Sequence, residues 1–242
     1  METITALSHA PIRIRGVRGW PGDRGTEAPH LELAPAEKAE LARLGEVVDF
    51  KTPGSLIFSQ GDDAAFIHLL VDGLVRTYHT LQNGERQVVA FHWPGDLLGL
   101  AEDGRHVSSA QAIVPSRIYR FPTAKLARFL LKHPKVQDGF LVKAMHDLRA
   151  AQRQLIVMGK FDVTRRLAAL LVDCSGHEHY FDPKSGVLTL PMSRDDVADY
   201  LGTSVETVIR AVTRLHREGL VERIRPRELK LDLDRLKGFA AL

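Results

Sequence analysis

The sequence predicts an α+β protein in three parts: an N-terminal β-roll of the jelly-roll kind, one long helix, and a C-terminal winged helix-turn-helix. Three observations carry that reading. Turn signals recur roughly every ten residues between short apolar or β-branched runs, the pattern of a β-sandwich or roll rather than of βαβ units. After Pro134 a stretch free of proline repeats apolar residues at heptad spacing as far as about Phe161. Two capped amphipathic segments then meet at a glycine, and a short alternating hairpin follows.

Residues 1–30 are expected to form a poorly ordered extension. Pro11, Gly16, Gly19, Pro21, Gly22, Gly25 and Pro29 break any periodicity, while Arg13, Arg15, Arg18 and Arg24 add charge. A basic DNA-touching arm is the alternative reading of the same residues.

The β-roll is placed at 31–134. A short helix from Pro35 to Leu44 leads into it. Turns are marked by Gly61-Asp62, Asp72-Gly73, Asn83-Gly84, Pro94-Gly95-Asp96 and Asp103-Gly104. Strands are read at Leu56–Phe58, Phe66–Val71, Val88–Phe91 and Arg117–Phe121, after which Pro122 punctuates and the chain turns helical at Ala124–Leu130.

The long helix is placed at 135–162. Leu141, Ala144, Leu148, Ala151, Leu155 and Met158 are spaced 3, 4, 3, 4 and 3, a heptad seam. A helix merely covering its own β-roll would show a wider stripe, whereas Gln152, Arg153 and Gln154 interrupt the other faces. A self-pairing dimer helix is therefore expected.

Residues 163–242 hold the most specific signal. Ser193 is placed to cap a first helix, with Asp196 three residues on, close to a capping box. Val197, Ala198 and Leu201 form its inner face, and Gly202 ends it because glycine adopts the left-handed conformation a sharp turn needs. Ser204 caps a second helix whose Val208, Ala211, Val212 and Leu215 share one side. At 100° per residue, Glu206, Arg210, Thr213, Arg214 and Arg217 then point outward. Such a helix reads base edges from its first turns: an Arg bonds guanine bidentately and a Glu accepts from cytosine. One turn apart, Glu206 and Arg210 suit that chemistry, and Glu206 is expected to fix the Arg210 rotamer. Taken alone the pair is also an ordinary surface salt bridge; the capped helix-turn-helix around it favours the base-reading role. Gly219 closes the helix, and Val221–Arg225 with Glu228–Leu231 forms a hairpin wing whose Arg223 and Arg225 are expected along phosphates.

The totals set bounds. A net charge of +3 and a pI near 9.1 are compatible with nucleic acid without arguing for it; placement matters more, and arginines gather in the last third of the chain. Cys174 is the single cysteine, which rules out a disulfide framework and suits the reducing cytoplasm. No apolar run is long enough for a bilayer span and nothing reads as a secretory signal, so no membrane partner is expected. GxSxG, P-loop, HExxH and GxGxxG motifs are missing, and an enzyme is not expected.

The stretch from Leu190 to Arg194, Asp199 to Gly202, and Val205-Glu206-Thr207-Val208 with Arg210 resembles the CRP/FNR family of bacterial transcription regulators, in its FNR/FixK-like branch. The β-roll turns at Ser59–Asp62, Val71–Gly73 and Pro94–Asp96 support the resemblance independently. It implies a cyclic-nucleotide-binding-like β-roll, and a homodimer acting as an activator on double-stranded DNA, with RNA polymerase as a further partner. It also implies Glu206 and Arg210 as readers of the TGA core of a palindromic TTGAT-like site. Ser204, Val205, Thr207, Ile209, Thr213, Arg214, Arg217, Arg223 and Arg225 are then the backbone or flanking contacts. Val205 agrees with the FNR-like branch. Ile209 departs from it, since serine is usual there, and this leaves the outermost base open.

The effector is less legible. The candidate pocket residues are Gly99, Arg105, Ser108 and Ser109. Cyclic-AMP-binding relatives pair the phosphate with an arginine where this chain has Ser108, which argues against cyclic AMP unless Arg105 substitutes. An iron–sulfur cluster needs about four cysteines, and Cys174 is alone. Haem stays open: eleven histidines are present, among them His68, His79 and His92 in the roll, but no motif marks an axial ligand. Cys174, His177 and His179 lack a fourth ligand, so no metal is assigned. The competing class is a ligand-binding regulatory module of a larger assembly, against which the helix-turn-helix speaks.

Overall fold

The computed structural model describes residues 33–100 and 104–241, so the expected extension at 1–30 lies outside the described residues. They fall into two compact units, the division lying within the long helix after His146.

In the first unit α1 (Pro35–Leu44) precedes eight strands: β1 (Glu46–Phe50), β2 (Leu56–Phe58), β3 (Phe66–Asp72), β4 (Val75–Thr80), β5 (Arg86–His92), β6 (Leu97–Leu98), β7 (Ser109–Ala112) and β8 (Ser116–Pro122). They form two antiparallel four-stranded sheets, ordered β1-β8-β3-β6 and β2-β7-β4-β5. The β3–β4 turn depends on Gly73, whose φ is 97° and whose missing Cβ would lie 2.3 Å from Ser116 Oγ. Alternating inward residues, Phe58, Leu70, Val75, Leu98, Ala110 and Ile118, fill the roll. A second cluster joins Leu69, Leu97, Tyr119 and Phe121 to Leu41 of α1 and to Leu126 and Phe129 of α2 (Thr123–Lys132).

The long helix α3 (Pro134–Lys160) buries Val136 in that second cluster. It also buries Lys143, 5% exposed, whose Nζ lies 3.2 Å from Asp96 Oδ1 in the β5–β6 turn. A lysine is buried when a carboxylate compensates its charge, and Asp96 is itself held by accepting from Trp93 N at 2.9 Å. The heptad residues face elsewhere: Leu141 and Leu148 are 60% exposed and Leu155 74%, Ala144 and Ala151 are exposed, and Met158 is half-buried. Val142, Met145 and Ile156 are exposed as well, so the apolar stripe is wider than the heptad seam.

The second unit contains α4 (Val163–Cys174), β9 (Phe181–Asp182), β10 (Val187–Thr189), α5 (Arg194–Leu201), α6 (Val205–Arg217), β11 (Val221–Arg225), β12 (Glu228–Leu231) and α7 (Leu233–Ala240). The sheet order is β11-β12-β10-β9. The expected hairpin is therefore half of a larger sheet. Sequence reading does not reach β9 and β10 because two- and three-residue strands carry no measurable period, and β12, which pairs with β10, is remote in the chain.

Candidate nucleic-acid interface

The helix-turn-helix is built by local capping. Ser193 Oγ accepts from Asp196 N at 3.0 Å while Asp196 Oδ2 accepts from Ser193 N at 3.0 Å, a reciprocal box. Gly202 leaves α5 in the left-handed region, at φ 63° and ψ 47°. Ser204 Oγ then accepts from Thr207 N at 3.3 Å and starts α6.

Val208, Ala211 and Leu215 of α6 are buried and Val212 is half-buried. Glu206, Ile209, Arg210, Thr213, Arg214 and Arg217 are all exposed on the other side. The outward face expected from the periodicity is thus present, with Thr207 and Val205 half-buried at its edge and Ser204 exposed.

The polar contacts along that face differ from the expected ones. Arg210 Nη2 donates to Thr207 Oγ1 at 2.7 Å, so Thr207 rather than Glu206 is the hydrogen-bonding buttress. The Glu206 carboxyl is held below the usual carboxylate range by its own backbone N–H first and by the Ser204 hydroxyl next; the charge of Arg210 contributes least. An N-terminal carboxylate on a helix is favoured by the unsatisfied N–H groups and the dipole there.

Arg214 is committed on two sides: Nε donates to Glu218 Oε1 at 2.9 Å and Nη1 to Asp162 Oδ2 at 3.2 Å. Arg223 of the wing folds back onto α6, with Nη2 donating to Thr213 Oγ1 at 2.8 Å and to Ile209 O at 3.3 Å. Arg225 pairs with Glu228 at 3.2 Å but keeps a side chain 74% exposed. Both arginines are exposed, but Arg223 is engaged as a brace on α6, whereas among the described residues Arg225 contacts only its own hairpin.

One residue absent from the sequence reading organises this unit. Arg166 of α4 donates to Met158 O at 2.6 Å, Phe161 O at 3.0 Å and Leu201 O at 3.0 Å. It satisfies carbonyls at the end of α3, just past it, and at the end of α5, which helices otherwise leave unpaired. An arginine among many in the sequence offers no signal of that role.

In the first unit, Gly99 and Ser108 line an open cavity of about 180 Å³ together with Phe58, Thr77, His92 and His106, with Leu97, Leu98, Leu100 and Val107 completing the lining. Glycine suits position 99, at φ 79°, since a Cβ there would come within 3.1 Å of both His106 and His68. The Phe58 and His106 rings stack at 3.8 Å, and His92 Nε2 meets Thr77 Oγ1 at 3.0 Å. Burial lowers the pKa of His92 and of neighbouring His68 to about 4 and lowers His106 as well, so these imidazoles are neutral near pH 7.

Two of the candidate pocket residues belong elsewhere. Arg105 points outward, 3.6 Å from Asp63 and donating to Gly61 O at 2.8 Å, because an exposed ion pair leaves its charge hydrated. Ser109 Oγ accepts from Gln60 N at 2.9 Å. In the second unit Cys174 is fully buried, and burial pushes its thiol well above the ordinary range, the opposite of a reactive thiolate.

Comparison with known proteins agrees with both units. Residues 50–133 match the cyclic nucleotide-binding domain and residues 165–239 the Crp-like helix-turn-helix domain. The chain is 34% identical over 216 residues to the nitrogen fixation regulation protein FixK of Bradyrhizobium diazoefficiens, covering 89% of this chain and 91% of that one. It is 32% identical over 210 residues to the transcriptional activatory protein AadR of Rhodopseudomonas palustris, covering 87% of each. The structure of FixK2 from Bradyrhizobium japonicum superposes with a TM-score of 0.73 at 28% identity, covering 82% of this chain and 98% of that one. These relatives are regulators rather than enzymes, as the missing catalytic motifs suggest. A capped helix-turn-helix with a charged outward face, behind a β-roll and a long helix, thus has its explanation: the chain belongs to the CRP/FNR family of DNA-binding transcription regulators.

Proposed function

We propose that this protein is a homodimeric transcription activator that recognises a palindromic TTGAT-like site in the cytoplasm, works with RNA polymerase, and is set by a signal at the β-roll. The single observation that carries sequence recognition is the α6 face: Glu206 and Arg210 exposed one turn apart on a helix whose opposite side is buried. Two base-reading groups at that spacing reach one base pair or adjacent pairs in the major groove. The apolar stripe on α3 favours a second copy as partner, because Leu141, Leu148 and Leu155 stand exposed in line on one helix. The activatory role rests on the AadR relative, a transcriptional activatory protein.

The cyclic nucleotide that the fold implies does not suit this lining. Among the described residues the cavity carries neutral imidazoles, hydroxyls and aliphatic groups and no cation, while Arg105 is engaged at Asp63. A cyclic phosphate buried there would lack its charge partner. The size, about 180 Å³, is near the ~150 Å³ that accommodates benzene in a protein core, and is small for haem. We therefore assign neither group to this site.

Selection of bound DNA from random sequence with the full-length protein tests the reading. An inverted repeat of TTGAT-like half-sites is expected. Enrichment of an unrelated or asymmetric sequence, or of none, would overturn it.

A further inference from the structure

Arginines from α4 and α6 clasp the joint at which the C-terminal end of α3 meets the helix-turn-helix. Phe161, 6% exposed, and Asp162 follow the last residue of α3 and lead directly into α4. Arg166 holds the carbonyls of Met158 and Phe161 at the joint and that of Leu201 at the end of α5. The Arg165 guanidinium carbon lies 3.7 Å from the centre of the Phe161 ring, and Arg165 donates to Phe239 O at 3.2 Å and to Ala241 O at the end of α7. Arg214 reaches the joint from α6 itself, its Nη1 donating to Asp162 Oδ2 at 3.2 Å.

Two features set the Asp162–Arg214 contact apart. The first is what it connects. Asp162 caps α4, its Oδ1 accepting from Arg165 N at 2.8 Å, so the carboxylate is fixed to the joint. Arg214 stands one turn beyond Arg210 on α6. The contact therefore runs from the end of the long helix to the helix that presents Glu206 and Arg210. The second feature is charge. Arg214 Nε also donates to Glu218 Oε1 at 2.9 Å, so one guanidinium faces two carboxylates. That set is negative on balance, which suits holding a helix in place and does not suit receiving a phosphate. An exposed ion pair adds little to stability; its consequence here is orientation.

A dimer on a palindrome needs its two recognition helices to meet half-sites about one helical turn, ~34–36 Å, apart. Each added base pair shifts one half-site by about 3.4 Å and rotates it by about one tenth of a turn. A reading unit free to swivel on its long helix accepts such a change, and a clasped one resists it. We propose that the Asp162–Arg214 pair is a positioning device that sets the half-site separation this protein accepts, and that Arg214 does not contact DNA. The proposal rests on the dimeric, palindrome-binding reading, and it replaces the flanking contact expected for Arg214 from the sequence.

Competition binding with the full-length protein tests this, using its selected palindrome and versions with one base pair inserted or deleted between the half-sites. The parent protein should prefer the selected separation. Asp162→Asn keeps a capping side chain and removes the charge, while Arg214→Gln removes the other partner. Each should keep the half-site sequence while the preference for the selected separation falls about threefold, within the range one exposed ion pair supplies. The double variant should fall no further than either single one. Retained half-site preference shows that the variants are folded. An unchanged separation preference in both variants overturns the proposal. So does a salt dependence lessened by about one with Arg214→Gln, the mark of a lost phosphate contact. Either result leaves palindrome recognition standing, whereas if no palindrome is selected both readings fall.

Discussion

Arg210 Nη2 donates to Thr207 Oγ1 at 2.7 Å, and that hydroxyl in turn lies 3.1 Å from Ser204 Oγ, the cap of the same helix. The guanidinium is thereby held at the N-terminal end of α6, the part from which recognition helices contact base edges. Thr207→Val removes the acceptor and keeps the shape. A solvent-exposed bond of this kind is worth about 1 kcal/mol, so affinity for the selected site should fall about fivefold, while Thr207→Ser should hold it. Competition binding at fixed salt measures this, and equal affinity for Thr207→Val and the parent would show that the bond does not orient Arg210 on DNA.

Base reader and phosphate contact should separate by kind of effect. Arg210→Ala should cost ~1–3 kcal/mol per contact and flatten preference at one base pair of each half-site. Arg225→Ala should weaken all sequences alike and lessen the salt dependence by about one. Arg223 is unsuitable for that contrast because it braces Thr213 and Ile209. An unchanged selected sequence with Arg210→Ala would remove the recognition-helix assignment.

The exposed stripe on α3 should hold a dimer. Replacing Leu148 and Leu155, 60% and 74% exposed, with Glu places like charges on the seam and should yield folded monomers that no longer bind the palindrome. Sedimentation at micromolar concentration reads this directly. A monomeric parent protein, alone and on DNA, would contradict the seam.

The Asp96–Lys143 pair should be a point of high cost. Lys143 is 5% and Asp96 14% exposed, and removing one partner of a buried ion pair costs about 3–5 kcal/mol. Asp96→Asn should lower stability to urea by that order. Asp96→Asn combined with Lys143→Met, which removes the ammonium as well, should recover much of the loss. If the single substitution costs under about 1 kcal/mol, the pair does not anchor α3 to the roll.

The buried imidazoles predict acid lability. His68 and His92 have folded pKa values of about 4, against about 6.5 in an unfolded chain. Because the folded values are depressed, the unfolded state takes up protons first as pH falls. Stability is complete above about pH 6.5 and declines toward pH 4, by ~1.4 kcal/mol per pH unit for each group inside that window. Urea midpoints measured between pH 7 and 4.5 should fall, and His92→Gln should reduce the slope. A flat profile across that range would mean the two rings are charged or hydrated in the fold.

Much of the architecture is written in short-range signals. Pro35 at the start of α1, the Ser193–Asp196 box, Gly202 and the Ser204 cap each act within one turn of chain. Their consequences for the backbone follow whatever the rest of the molecule does. The buried stripe of α6 is of the same kind, and it is why the outward positions of Glu206 and Arg210 are readable from spacing alone.

Local signals thus set where elements begin and end and which faces they bury, since caps, turns and periodicity act at short range. The partners of individual side chains were set largely by long-range packing. Arg210 had two candidate acceptors one turn back on its own helix, Glu206 and Thr207, and in the fold it donates to the hydroxyl. Arg105 stood near the effector residues in sequence, yet the Asp63–Arg105 bridge draws it to solvent. Lys143 reads as a surface residue until Asp96, far away in the chain, is folded against it. Strand β10 exists because β12 supplies its hydrogen bonds, and β9 pairs in turn with β10. Long side chains have several partners of similar energy, and packing around them selects one.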